Sequence, residues 1–247
     1  MEDQNENEIM IANKYILREF IGRGKFGSVY KGEKIGPGTT VAIKFEAKDT
    51  DIPLLKKEAR ILEYLARNGI RDRVPIVFWY GLHREDSVCV VMSYLGEQTL
   101  STKDFSLEEK NEWYEMAKSL LERIHFYGVI HRDLKPGHFL FNNGKWKLID
   151  FGFAVFVLED DSVPEKKREY MIGSPNYVSL AIHGGAEPGK KDDMISLDYI
   201  YLELVLGVLP WANVPYREND SEYPVHHLLH STNQYRASLK RNREKMI

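Results

Sequence analysis

Cysteine is almost absent from this sequence: Cys89 is the only one among the 247 residues, so no disulfide can form within the chain. It lies in the apolar run 88–92, where a buried core thiol is far more common than a reactive one. Core packing must therefore stabilise the fold, and we expect a reducing intracellular location in the cytoplasm or the nucleus.

Long apolar runs and an excess of one charge are also missing. No run approaches the roughly 18 residues of a membrane span, and the N-terminus is acidic rather than basic and apolar as in a secretory signal. The formal net charge is only -3, from 34 basic and 37 acidic residues. This balance gives no electrostatic argument for nucleic acid or an anionic membrane, so we expect neither as a partner and leave the oligomeric state open.

The apolar content is large enough for a sizeable core, because 43% of the residues are hydrophobic and the length suits one large domain or two small lobes. Residues 1–13 are acidic and predict a flexible tail. Strand-like runs, one helix and a later change to helical patterns predict a first lobe at 14–95 and a second at 96–247. The strands are predicted at 15–22, 28–33, 40–45, 74–80 and 87–94, with the helix at 53–67.

In the second lobe, Ser106 and Glu109 form a capping box that opens a long helix. A hairpin is predicted at Asn143-Gly144, between strands at 139–141 and 146–149. A further buried helix is predicted from Asp193 to Leu206. Its inward residues are expected to be Met194, Leu197, Ile200, Tyr201, Leu204 and Val205.

A glycine-rich turn at 22–27, Gly-Arg-Gly-Lys-Phe-Gly, lies between two predicted strands, whereas a dinucleotide fingerprint would open a helix. Alone it is weak evidence and also suits a plain hairpin. One strand later, Val-Ala-Ile-Lys ends at Lys44, whose ammonium suits nucleotide phosphates. Glu58 in the following helix suits an ion pair with Lys44, although single lysines and glutamates are more often solvated.

The specific signals are His-Arg-Asp-Leu-Lys-Pro at 131–136 and Asp-Phe-Gly at 150–152. With the glycine-rich turn and Lys44 in this order, the chain resembles a protein kinase. The resemblance implies a bilobal α+β fold, with an antiparallel-sheet N-lobe carrying one helix and a mainly helical C-lobe. It also implies ATP and Mg²⁺ as cofactors and proteins as substrates.

By this resemblance, Asp133 orients the acceptor hydroxyl and takes its proton, Lys135 contacts the transferred phosphate and Asp150 holds magnesium. Lysine at position 135 is typical of serine/threonine kinases, and Ser174 matches the hydroxyl residue that shapes their acceptor site. The nucleotide is expected to contact residues of the glycine-rich turn, the strands and the connector: Ile21, Gly22, Gly24, Gly27, Val29, Ala42, Lys44, Met92, Ser93, Leu95, Leu140 and Asp150.

Within the kinases, the chain resembles the casein kinase 1 family over roughly residues 15–213. The usual Ala-Pro-Glu is missing, and the segments 173–183, 191–197 and 209–211 look like that family's signatures. Asp193 is expected to hydrogen-bond the backbone of the 131–133 loop. Asn176 replaces the family's arginine, which puts recognition of phosphorylated substrates in doubt. The nearby basic run 166–168 is consistent either with a replacement for that positive charge or with an ordinary solvated surface.

The catalytic loop departs from the kinase pattern at His138, which stands where asparagine holds a metal ion. Magnesium prefers oxygen ligands, so imidazole weakens one of two metal positions and favours manganese. The short sequence after Trp211 predicts a shortened C-lobe. We expect an active serine/threonine kinase, with a nucleotide-binding pseudokinase scaffold as the alternative that His138 favours; the region of Ser174 disfavours a small-molecule kinase.

Overall fold

The computed structural model describes residues 8–24, 27–36, 38–50, 52–102, 104–157 and 171–212. The chain divides into two compact units, the first comprising 1–98 with 140–152 and the second 99–139 with 153–247. No helix among the described residues is long and apolar enough to cross a bilayer. The strands are β1 (Met10–Ile11), β2 (Tyr15–Gly24), β3 (Gly27–Lys34), β4 (Thr40–Ala47), β5 (Val77–His83), β6 (Ser87–Ser93), β7 (Val129–Ile130), β8 (Phe139–Asn142), β9 (Lys145–Leu148) and β10 (Val155–Phe156). The α-helices are α1 (Leu55–Leu65), α2 (Leu107–Phe126), α3 (Leu180–His183) and α4 (Lys190–Leu206).

The first unit contains a six-stranded antiparallel sheet with the strand order β1-β2-β3-β4-β6-β5. Successive side chains of a strand point to opposite faces. Val41 and Ile43 of β4 therefore pack with Cys89 and Val91 of β6 in a buried cluster on one face. Cys89 is fully buried as predicted, and burial raises the pKa of its thiol to about 12.

The predicted flexible tail at 1–13 was wrong for Met10 and Ile11. These residues form β1 and pair with Ile16 and Tyr15 of β2. Ile11 is fully buried in the same cluster as Val41 and Ile43 of β4 and Cys89 and Val91 of β6. The apolar triplet 9–11 therefore adds a strand, because covering that cluster removes apolar surface from water.

Helix α1 buries the apolar positions that its sequence pattern predicted, and Glu58 lies among them at 2% exposure. Its N-terminus is capped from β4, because the carboxylate of Glu46 accepts hydrogen bonds from the backbone N–H groups of Leu54 (2.8 Å) and Leu55 (3.2 Å). A wider turn at 66–70 ends the helix, with Gly69 in the left-handed region at φ +81°. Strand β4 and helix α1 are thus joined by a buried polar contact.

The β8–β9 hairpin groups with the first unit, whereas the sequence prediction placed all of 96–247 in the second lobe. The backbone N–H of Leu148 donates to the carbonyl of Arg73 at 2.9 Å. At the hairpin turn, Lys145 pairs with Asp72 at 2.8 Å. These two bonds join the hairpin to earlier residues of the first unit.

The second unit contains the two long helices α2 and α4, which pack against each other. The predicted capping box of α2 is confirmed, since Ser106 Oγ accepts from the Glu109 N–H and the Glu109 carboxylate accepts from the Ser106 N–H. Helix α4 begins at Lys190, before the predicted start. Val205 was predicted to face inward and is 43% exposed, because the buried face of α4 follows a line through Asp193, Leu197 and Ile200.

Candidate functional site

In the first unit, the ammonium of Lys44 lies between two carboxylates. Its Nζ is 2.7 Å from Oε2 of Glu58 and 2.9 Å from Oδ1 of Asp150. Alternation along β4 places Lys44 on the face opposite Ile43, and helix α1 presents Glu58 one turn before Leu62. The predicted Lys44–Glu58 ion pair is confirmed, and Asp150 of the Asp-Phe-Gly motif joins it.

The electrostatics of this cluster keep Lys44 charged. Burial lowers the pKa of the ammonium, but the charges of Glu58 and Asp150 outweigh burial and raise it above its ordinary value. Burial raises the pKa of Glu58, while Lys44 and the backbone N–H of Phe151 oppose that rise. With all three groups ionised the cluster carries one net negative charge, and the side chain of Asp150 is 39% exposed. An exposed carboxylate of this kind fits a hard cation such as Mg²⁺.

Four of the predicted nucleotide-contacting residues share one face of the sheet. Val29 lies opposite Lys44 in the β3–β4 ladder, and Ala42 lies opposite Met92 in the β4–β6 ladder. Directly opposed side chains point to the same face, so all four line the surface that carries the Lys44 cluster. Their contact with a nucleotide stays a prediction.

The other predicted contacts lie at the ends of strands. Ser93 ends β6, where its N–H donates to the Ile76 carbonyl and its Oγ accepts from the Ile76 N–H. A Cβ at Gly27 would lie 1.9 Å from the Phe45 carbonyl oxygen, so only glycine fits there. The remaining positions are Ile21, Gly22 and Gly24 on β2, the buried Leu95 after β6, and the buried Leu140 on β8.

In the second unit, Asp133 is buried at 6% exposure beside a hydroxyl and a cation. The Oγ of Ser174 donates to its Oδ1 at 2.7 Å, and Nζ of Lys135 lies 3.4 Å from its Oδ2. A carboxylate that already accepts from one hydroxyl is suited to orient another and to take its proton. The structure thus brings together the three residues predicted to act on the acceptor.

Asp193 binds the backbone of the 131–133 loop as predicted. Its carboxylate accepts from the backbone N–H groups of His131 and Arg132, each at 2.8 Å. The Nε2–H of His125, at the end of α2, donates to the same carboxylate at 2.9 Å. Three donors compensate the burial of this acid. Sequence analysis missed His125, for which the only signal was its place next to the buried stripe of α2.

Arg132 joins three segments of the second unit. Its Nε donates to the carbonyl of Phe153 at 2.7 Å, and its Nη1 pairs with Glu187 at 2.8 Å. The guanidinium-bearing side chain is only 7% exposed. Arg132 has φ +70° and Asp150 has φ +62°, and non-glycine residues held in this region cost about 1–3 kcal/mol each and concentrate at active sites. No sequence motif predicted the contact between Arg132 and Glu187.

His138 is buried, and its Nδ1 lies 2.8 Å from the backbone carbonyl oxygen of Asp133. A carbonyl only accepts, so Nδ1 carries a proton; whenever the ring is neutral, Nε2 is an acceptor. Asparagine likewise has a donor group, its NH2, and an acceptor, its carbonyl oxygen. Metal-binding histidines commonly donate their other ring N–H to a backbone carbonyl. The ring therefore fits a nitrogen-tolerant cation such as Mn²⁺ better than Mg²⁺.

Some predictions fall on residues outside the described ranges. They concern Lys25 and Phe26 of the glycine-rich turn, the basic run 166–168 and the residues after 212 that bear on a shortened C-lobe.

In a comparison with known families, the family model described as protein kinase domain matches residues 15–245. The match includes the Lys44 cluster of the first unit and the Asp133 loop of the second. It also spans well over half of the chain. The protein belongs to the protein kinase domain family.

Proposed function

We propose that the protein is an active serine/threonine protein kinase of the casein kinase 1 type, which transfers the γ-phosphate of ATP to hydroxyl groups of proteins. The observation that carries the proposal is the partly buried Lys44 cation between the buried Glu58 and Asp150. An assembled lysine–glutamate pair beside the metal-binding aspartate is what phosphoryl transfer by a kinase requires.

The roles follow from the chemistry of each group. Lys44 would neutralise the α- and β-phosphates of ATP, and Glu58 would hold its ammonium in place. Asp150 would hold Mg²⁺, which neutralises charge on the phosphates when bound. Asp133 would orient the acceptor hydroxyl and take its proton, and Lys135 beside it would stabilise charge on the transferred phosphate.

Substrate preference is proposed from residues near Ser174. Lys135 favours serine and threonine, as the resemblance to that class implies. Asn176 in place of the family's arginine removes a charge that would attract a phosphorylated or acidic peptide, so we propose that unprimed sites are accepted. Substrates would be cytoplasmic or nuclear proteins.

The test measures transfer of labelled phosphate from ATP to dephosphorylated casein and to the protein itself. Asp133→Asn is the matched control, because it keeps the shape of the side chain and removes the base. Label in the wild type that disappears in Asp133→Asn supports the proposal. Label that survives in the variant comes from a contaminating kinase and counts against it.

A nucleotide-binding pseudokinase is the second candidate, and His138 is the observation that favours it. This reading predicts that ATP raises the melting temperature through Lys44 while no phosphate is transferred with Mg²⁺ or Mn²⁺. The same protein preparation therefore serves both assays, and their combination separates the two candidates.

A further inference from the structure

We infer that Glu203 and Trp211 are positioning residues that hold the acceptor segment, defined as residues 173–177, in register with Asp133. This inference rests on the proposed function, because it concerns how a protein substrate meets the catalytic loop. Glu203 lies outside every kinase motif found in the sequence, and Trp211 ends the segment 209–211, for which the sequence suggested no role.

The acceptor segment packs directly on the catalytic loop. Ser174 donates to Asp133 at 2.7 Å. Gly173 has φ +98°, and a Cβ there would lie 2.6 Å from the carbonyl oxygen of Arg132. No side chain fits between the two segments, so any shift of the acceptor segment moves Ser174 relative to Asp133.

The other end of the segment is attached to α4 and to the residues that follow it. The hydroxyl of Tyr177 donates to Oε2 of Glu203 at 2.7 Å. The Nε1–H of Trp211 donates to the backbone carbonyl of Asn176, also at 2.7 Å. Two consecutive residues of the segment are thus each bound by a side chain from α4 or from the residues after it.

The two anchoring groups are themselves firmly placed. Trp211 is fully buried, and its ring packs edge-on against Tyr199 of α4 with centroids 4.8 Å apart. Glu203 lies on α4, whose first turn carries Asp193, the acid that holds the backbone of the catalytic loop. One helix therefore fixes the catalytic loop near its start and the acceptor segment near its end.

A tight turn transmits this attachment to Ser174. The backbone N–H groups of Tyr177 and Val178 both donate to the Ser174 carbonyl, at 2.9 and 3.1 Å. The sequence also lacks the Ala-Pro-Glu that usually follows this segment in kinases. Glu203 and Trp211 supply an anchor from a different part of the chain.

The test compares Glu203→Leu with Glu203→Gln, since the glutamine amide oxygen still accepts from the Tyr177 hydroxyl and leucine does not. Losing one hydrogen bond costs about 1 kcal/mol, which corresponds to about a fivefold change in rate or affinity. We expect this change as a higher KM or a lower kcat for dephosphorylated casein. The KM for ATP should stay within about twofold, because no nucleotide contact is altered. Glu203→Gln should stay near the wild type.

Trp211→Phe provides the second variant, because it keeps the buried ring and removes only the Nε1–H donor. It should impair casein phosphorylation in the same way as Glu203→Leu. In both variants, hydrogen–deuterium exchange of the amides at 173–178 should be faster than in the wild type. The rest of α4 should exchange at an unchanged rate.

The outcomes separate this inference from the proposed function. If the wild type phosphorylates casein and both variants match it in kinetics and exchange, the inference is wrong and the kinase proposal stands. Equal losses for casein and ATP, or an equal loss in Glu203→Gln, would show a general structural role and also overturn it. A wild type that transfers no phosphate overturns both.

Discussion

Replacing Lys44 by methionine removes the cation between Glu58 and Asp150 and leaves Glu58 buried at 2% exposure without its partner. Breaking a buried ion pair from one side costs about 3–5 kcal/mol. The matched control is Lys31→Met on the neighbouring strand β3, where Lys31 lies 3.4 Å from Glu19, a side chain that is 70% exposed. An exposed pair of this kind contributes about 0–1 kcal/mol. Urea unfolding of the two variants should therefore differ by several kcal/mol.

The pH dependence has a definite sign. In Lys44→Met, burial and Asp150 still raise the pKa of Glu58, and the Lys44 charge that opposed them is gone. A carboxyl whose pKa is higher in the folded than in the unfolded protein stabilises the fold at low pH. That stabilisation is lost as the pH rises through the pKa of the folded state. The variant should therefore be closer to the wild type at about pH 5 than at about pH 8, where an unpaired carboxyl is driven to ionise.

A double variant separates stability from nucleotide binding. Lys44→Met with Glu58→Leu removes both charges, and replacing a buried ion pair by apolar side chains is often neutral. We expect it to regain most of the stability lost in Lys44→Met, while ATP with Mg²⁺ no longer raises its melting temperature. The reasoning is refuted if Lys44→Met is no less stable than Lys31→Met, or if the double variant keeps the ATP effect.

Three further outcomes are expected. Phosphatase-treated protein should keep its rate, because Arg132 already pairs with Glu187 and needs no phosphate as a counter-charge; a large loss restored by incubation with ATP contradicts this. Manganese should support turnover better than magnesium, and His138→Asn should raise the magnesium-dependent rate; a metal titration of both proteins that shows no difference refutes the role of the imidazole. Asp193→Asn leaves a single accepting oxygen where the carboxylate has two, so urea unfolding should show a loss of about 1–3 kcal/mol, and an unchanged midpoint contradicts its supporting role.

The sequence predicted the parts of the site that local motifs encode. Lys44, Asp133 and Asp150 stand in short patterns whose chemistry identifies them, and Glu58 follows because helical spacing places it beside the buried Leu62. The antiparallel sheet followed from runs rich in β-branched and aromatic residues that are separated by glycine-rich or polar turns.

Contacts between residues far apart in the chain could not be predicted in this way. Glu187 and Arg132 are separated by 55 positions, and a single glutamate before a helix has no distinctive pattern. The pairing of Ile11 with Tyr15 was missed because a two-residue strand is too short to show alternation. Val205 was misplaced because the helical pattern fixes spacing, while packing against other elements decides which side is buried.

Strand β4 holds helix α1 at two separate points. Glu46 binds the backbone at the start of the helix, and Lys44, on the same face of the strand, binds Glu58 one turn further along. Moving the whole of α1 away from β4 would break both contacts. If displacing the helix costs about 3 kcal/mol, the displaced form is populated at under about 1%, and an effector must bind it more than a hundredfold more tightly to make it dominant. Control of this kinase by helix displacement would therefore require a strongly selective ligand, and weak effectors would have to act elsewhere.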